Sequence, residues 1–133
     1  IVGPELKTNG EGLLHWFLNQ QQPINGFKKA FWGGVTTLEC AKAIGAALEQ
    51  DLQGLINLTN GSKISKYDML QLFQKVFEKS GITINAVDGK EVDKSLSSQR
   101  NDFKYTVPSY ANMFAEMTDN ITKNKSSYPH YNF

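Results

Sequence analysis

The residues able to do chemistry are few and widely spaced. Cys40 is the only cysteine, and His15 and His130 lie far apart with no spaced carboxylate or cysteine to complete a zinc set. Cys40 falls inside an apolar helical stretch with no base placed beside it by local sequence, so it reads as a small core residue rather than a nucleophile. The loop Asn9-Gly10-Glu11-Gly12 offers more. It leads into a helix whose free amides are suited to face phosphate, and glycine allows a ligand close to the backbone. A helix start with flexible glycines accounts for the same residues, and both readings stand.

Four helices must position these groups. The first is expected from about Glu11 to Gln21, with i,i+4 pairs Leu13/Phe17 and Leu14/Leu18, Asn9 as cap and Pro23 as stop. The second starts at Thr36, which forms a capping box with Glu39 and presents Leu38, Ala41, Ile44, Gly45 and Leu48 on one face suited to close packing. In the third, Ser65 caps with Asp68 reaching back; it buries Met69, Leu70, Phe73, Val76 and Phe77 and ends near Gly81, placed for a left-handed C-cap. The fourth begins around Pro108-Ser109 and repeats Tyr110, Met113, Phe114, Met117 and Ile121 at helical spacing. Its Asn-, Ser- and Tyr-rich tail reads as loosely ordered. Ile24 to Trp32, Leu55 to Thr59 and Ile82 to Val87 are expected strands. They are too short for a sizeable independent sheet, which predicts an α+β domain with at least one strand completed elsewhere.

Composition excludes several classes. The 133 residues are 40% apolar and 20% charged, enough for one soluble domain with a single core. The formal charge is +1 with Arg100 as the sole arginine, which argues against nucleic-acid and membrane partners. The lone cysteine fits a reducing, cytoplasmic setting, and no apolar run is long enough to span a bilayer. Ile1-Val2-Gly3-Pro4, with no initiator methionine, reads as the end of a strand and a turn, and hence as a segment of a longer polypeptide.

The order and spacing of IVGPELKTNGEGLLHWFLNQ, INGFKKAFWGGVTTLECAKAI, GLINLTNGSKISKYDMLQLF, DKSLSSQRNDF and VPSYANMFAEM resemble the carboxyl-terminal half of extended short-chain dehydrogenase/reductases. The likeness is strongest to the dTDP-4-dehydrorhamnose reductase group and covers nearly the whole chain. It implies that residues 1–133 are the substrate-binding domain of a Rossmann-type enzyme whose amino-terminal NAD(P)H-binding domain lies upstream. The family's Gly-rich turn and Tyr-x-x-x-Lys pair have no counterpart here, since Tyr67, Tyr105, Tyr110 and Tyr128 are followed four residues later by Gln71, Ser109, Phe114 and Asn132. By this resemblance the chain holds no catalytic or cofactor residues and is catalytically silent alone, while NAD(P)H serves the parent protein.

The resemblance further implies a nucleotide-sugar ligand, with a dTDP-sugar as the nearest type, and substrate-binding roles for Asn9, Gly12, Trp32, Lys94, Ser95 and Arg100. A diphosphate needs Lys, Arg or backbone donors, and a base needs an apolar or aromatic surface. Lys94-Ser95-Leu96-Ser97, followed by Arg100, matches a segment where the family usually carries arginine and proline, and Gly33 to Thr37 matches its Gly-x-Pro-Thr with Val35 in place of proline. Trp32 is equally accounted for by packing a strand on a helix, and Arg100 by a structural or surface role. Lys63 and Lys66 read as solvated. Two other functions compete: a non-enzymatic helical protein-interaction module, and a helix-turn-helix spanning Ser62 to Lys79. If the reductase reading holds, Leu55 to Leu58 and neighbouring helix faces, stripped of the Rossmann domain, favour self-association.

Overall fold

The computed structural model describes residues 1–133. It is α+β, with four helices and five short strands, as composition and periodicity lead one to expect. In chain order these are α1 (Leu13–Leu18), β1 (Ile24–Phe27), β2 (Ala30–Trp32), α2 (Thr37–Glu49), β3 (Ile64–Ser65), α3 (Lys66–Val76), β4 (Ile84–Val87), β5 (Val92–Lys94) and α4 (Tyr110–Lys123). A 3-10 turn, Lys125–Ser127, follows.

The expected strand from Ile24 to Trp32 is two strands in two sheets. β1 pairs in parallel with β4, Ile24 opposite Ile84. After the Lys28-Lys29 turn, β2 becomes the middle of a second sheet, antiparallel to β3 and parallel to β5. Val2 adds an isolated parallel bridge to Thr36. No hairpin occurs; each pairing joins segments distant in sequence. Leu55 to Thr59, expected as a strand, runs as irregular chain because no strand lies beside it to accept its backbone bonds.

α3 is the hub, packed against α1, α4 and strands of both sheets. Phe73 lies between Phe17 of α1 and Phe114 of α4, with ring centroids 5.8 and 4.9 Å away, and all three are fully buried. Truncating such a ring to alanine typically costs about 3–5 kcal/mol, so this triad fixes the helix arrangement. The α4 face Tyr110, Met113, Phe114, Met117 and Ile121 is buried throughout, as its spacing dictates. Ser65 caps α3 by accepting the Asp68 N–H at 3.0 Å. The helix stops at Val76, and Glu78 (φ 50°), not Gly81, takes the left-handed position, with the Lys79 N–H closing back on the Gln74 carbonyl. Between Ser62 and Lys79 there is one helix, preceded by β3, rather than the pair a helix-turn-helix needs.

Three further expectations change. α1 is six residues long and its N-cap is Gly12, not Asn9. α2 keeps its Thr36 cap, which accepts the Glu39 N–H at 3.1 Å, but buries the Glu39/Ala43 stripe. The opposite face stays open, with Ile44 56% and Leu48 77% exposed. The tail is ordered by Tyr131, 1% exposed, whose hydroxyl accepts the Glu5 N–H at 3.0 Å and lies 3.2 Å from His15 Nδ1. No helix is long and apolar enough to cross a membrane.

Candidate functional site: two clefts on either side of Trp32

Trp32 ends β2, with Lys94 of β5 as its register partner and Ile64 of β3 on the other side. Its indole folds over Gly34, where an added Cβ would fall 2.5 Å from the ring, and it leans on Tyr110 at a centroid distance of 5.9 Å. Gly33 is equally constrained, since a Cβ there would meet Ser95 Cα at 3.1 Å. The Gly33-Gly34 pair thus lets β5 and the indole close on the strand end.

Two clefts share this residue. One, of about 350 Å³, is lined by residues 1–5, Gly12, Leu13, Trp32, Thr37, Lys66 and Met69. The other, of about 300 Å³, is lined by Phe27, Ala30, Phe31, Trp32, Lys66, Lys90, Val92 and Lys94. Lys66, Lys90 and Lys94 belong to none of the ion pairs in the fold, although Lys28, Lys29, Lys42, Lys63, Lys123 and Arg100 all do. The nearby Asp93 carboxylate is committed to Lys63 at 2.7 Å and to the Ser95 N–H at 2.9 Å, and these bonds hold it well below the usual carboxylate range. The second cleft therefore combines uncompensated positive charge with aromatic faces, a chemistry suited to an anion attached to a planar group.

The remaining expected site residues lie apart from that wall. Gly12 borders the first cleft, but its N–H donates to Glu5 Oε1 at 2.6 Å and the Glu11 N–H donates to Oε2 at 3.2 Å. The amides expected to face phosphate thus hold a carboxylate of the chain itself. An added Cβ at Gly10 or Gly12 would come within 2.7 Å of that carboxylate, so Glu5 explains both glycines. Asn9 is exposed in the preceding turn, and Ser95 sits past the end of β5 against Gly33. Arg100 donates to the Gln53 and Leu55 carbonyls at 2.7 and 3.1 Å and pairs with Asp102 through two nitrogens, which pins the Gln53–Leu55 loop. It borders a separate recess with Leu55 to Asn57.

Lys66, read from sequence as solvated, is exposed, and it lines the second cleft with Lys90, Phe27 and Phe31, none of which the sequence singled out as a ligand contact. Exposed lysines look alike in sequence, and only the pairing of β2 with both β3 and β5 gathers them. The buried Glu39 forms the other polar feature: the Tyr105 hydroxyl donates to its Oε1 at 2.7 Å. Burial, then the Glu39 bond and charge, push the Tyr105 phenol up to about 12, which makes it a holding group rather than a proton donor at neutral pH. His, Cys, Asp and Glu side chains form no group of three or more able to hold a metal ion.

No protein-family model and no curated protein matches this chain. Solved structures do match in fold. A UDP-N-acetylglucosamine 4-epimerase from Methanobrevibacter ruminantium, in complex with UDP-N-acetylmuramic acid, matches 92% of the chain and 43% of its own length at 18% identity and TM-score 0.65. A dTDP-4-dehydrorhamnose reductase from Clostridium acetobutylicum matches 86% of the chain and 45% of its own at 10% identity and TM-score 0.61. A dTDP-glucose 4,6-dehydratase from Bacillus anthracis, in complex with NAD, matches 86% and 40% at 14% identity and TM-score 0.59. The chain has the fold of part of these sugar-nucleotide-modifying enzymes and spans less than half the length of each.

Proposed function

We propose that residues 1–133 are the nucleotide-sugar-holding, carboxyl-terminal domain of an NAD(P)H-dependent sugar-nucleotide reductase of the dTDP-4-dehydrorhamnose reductase type. The cofactor domain and the proton donor then belong to preceding polypeptide, in a cytoplasmic enzyme, and this domain alone performs no redox step.

The observation that carries the reading is the cleft lined by unpaired Lys66, Lys90 and Lys94 together with Phe27, Phe31 and Trp32. Ammonium groups neutralise a diphosphate, and an aromatic face accepts a base. In this reading Trp32 and Lys94 touch the ligand, and Asn9 and Gly12 shape the approach to the neighbouring cleft. Ser95 and Arg100 hold the segments on which the ligand rests.

The test is calorimetric titration of the chain with dTDP-glucose. Weak binding is expected, on the order of 1 mM, because half of a two-sided site is supplied elsewhere. Lys94→Ala and Trp32→Ala should each weaken it several-fold. Absence of binding to the wild-type chain, and to a longer natural polypeptide containing it, removes the reading. One observation favours the alternative of a non-enzymatic interaction module: the open apolar face of α2 with Ile44 and Leu48.

A further inference from the structure

We propose that Lys66 anchors the charged middle of a ligand that lies across both clefts, rather than within one; this rests on the nucleotide-sugar reading above. Trp32 and Lys66 are the two residues common to both clefts. On one side the wall is largely apolar, with Val2, Pro4, Leu13 and Met69, and Lys66 is its sole basic side chain. On the other side Lys90 and Lys94 join it. A molecule confined to the apolar side meets one lysine, and one extending past Trp32 meets three.

The local chain fixes the root of Lys66 and leaves its head free. Ser65 immediately before it pairs with Phe31 in the sheet and caps α3, so the Lys66 backbone is held between strand and helix. The acidic groups around it are occupied: Asp68 accepts from the Ser65 hydroxyl at 2.6 Å, Asp93 pairs with Lys63, and Glu5 takes the Glu11 and Gly12 amides. Lys66 itself is exposed and makes no ion pair or side-chain hydrogen bond within the chain. A fixed root and a free ammonium are what a residue needs to gather an anion at the junction of two clefts, and Glu5, the one carboxylate on the first cleft's lining, is held by the Glu11 and Gly12 amides and not by Lys66. The ligand class that follows is a diphosphate substituted at both ends, with one uncharged body in each cleft.

The experiment compares dTDP-glucose, dTDP and thymidine as probes by calorimetry on the wild-type chain and on Lys66→Ala, Lys94→Ala and Lys75→Ala, each checked for an unchanged melting curve. Lys66→Ala is expected to weaken dTDP-glucose and dTDP alike, by about tenfold or more, because they share the diphosphate, and to leave thymidine unaffected; Lys75→Ala should match wild type. The loss should shrink at high salt, which screens exposed charges. If Lys94→Ala weakens dTDP-glucose and Lys66→Ala does not, the anchoring role of Lys66 is overturned while the nucleotide-sugar reading stands. If the wild-type chain and a longer natural polypeptide containing it both fail to bind dTDP-glucose, the reading falls and the role of Lys66 with it. If the wild-type chain binds dTDP-glucose no more tightly than dTDP, the sugar finds no second cleft and the two-cleft placement is overturned.

Discussion

The Glu5 carboxylate accepts the Gly12 N–H at 2.6 Å, and through its second oxygen the Glu11 N–H, so the start of α1 is closed by an acid from the same chain. Removing it in Glu5→Ala frees two amides and unclamps the Asn9–Gly12 loop. Because both bonds are solvent-exposed, the expected loss of stability is about 1 kcal/mol. Amide hydrogen exchange at Glu11 and Gly12 should accelerate while that at Phe17 stays protected. Unchanged exchange at both amides would show that the clamp does not hold in solution.

Gly34 sets the position of Trp32. In Gly34→Ala the new methyl group meets the indole ring, which has to swing away from Tyr110. Overpacking of this kind costs about 1–3 kcal/mol. Tryptophan fluorescence should change because Trp32 becomes more exposed, and a Trp16→Phe background isolates that signal. An emission spectrum identical to that of the parent contradicts the placement.

Tyr105 gives the fold an alkaline sensitivity. Its phenol is raised from 10.0 to about 12, so between those values the folded chain keeps a proton that the unfolded chain has released. Its contribution is complete below pH 10 and is lost as pH rises through about 12. Tyr105→Phe leaves the buried Glu39 carboxylate without its donor and should cost about 1–3 kcal/mol at neutral pH. The gap in urea midpoint between wild type and variant should then narrow on approach to pH 12. A gap that stays constant across that range rules out the linkage.

The open face of α2 should drive self-association. Ile44, Leu48 and the nearby loop residue Leu55 are 56, 77 and 87% exposed. Replacing Leu48 by lysine should lower the sedimentation coefficient observed at high concentration, with no loss of thermal stability, since this side chain covers no core. A wild-type chain that sediments as a monomer at every concentration speaks against the prediction.

The parts of the fold legible in sequence were those governed by local rules. α3 and α4 carry apolar residues at helical spacing; the expected Ser65 cap bond forms on α3, and Ser109, where α4 was expected to begin, accepts the Asn112 N–H in the same way. Thr36 capped α2 for the same reason, but the side it buries was misjudged because two apolar stripes run along that helix. What chooses between them is the distant Tyr105, bonded to Glu39. Similarly, nothing local splits Ile24–Trp32 at Lys28, because the split is imposed by β4 and β5, which each capture one half. Trp32 and Lys94 were legible as separate candidates; their adjacency, and the arrival of Lys66 and Lys90, depend on a register that no local pattern records. The Gly10 and Gly12 signal has a local counterpart in Glu5, whose carboxylate lies where a side chain at either position would fall.

Because β1 waits for β4, and β2 for β3 and β5, neither sheet can begin until a long stretch of chain has emerged from the ribosome. Closing such loops before any pairing is gained slows folding. Until residues 84–94 are synthesised, the aromatic segment from Phe27 to Trp32 has no parallel partner on either side of its turn, so during translation it is exposed to holding chaperones and to pairing with other nascent chains.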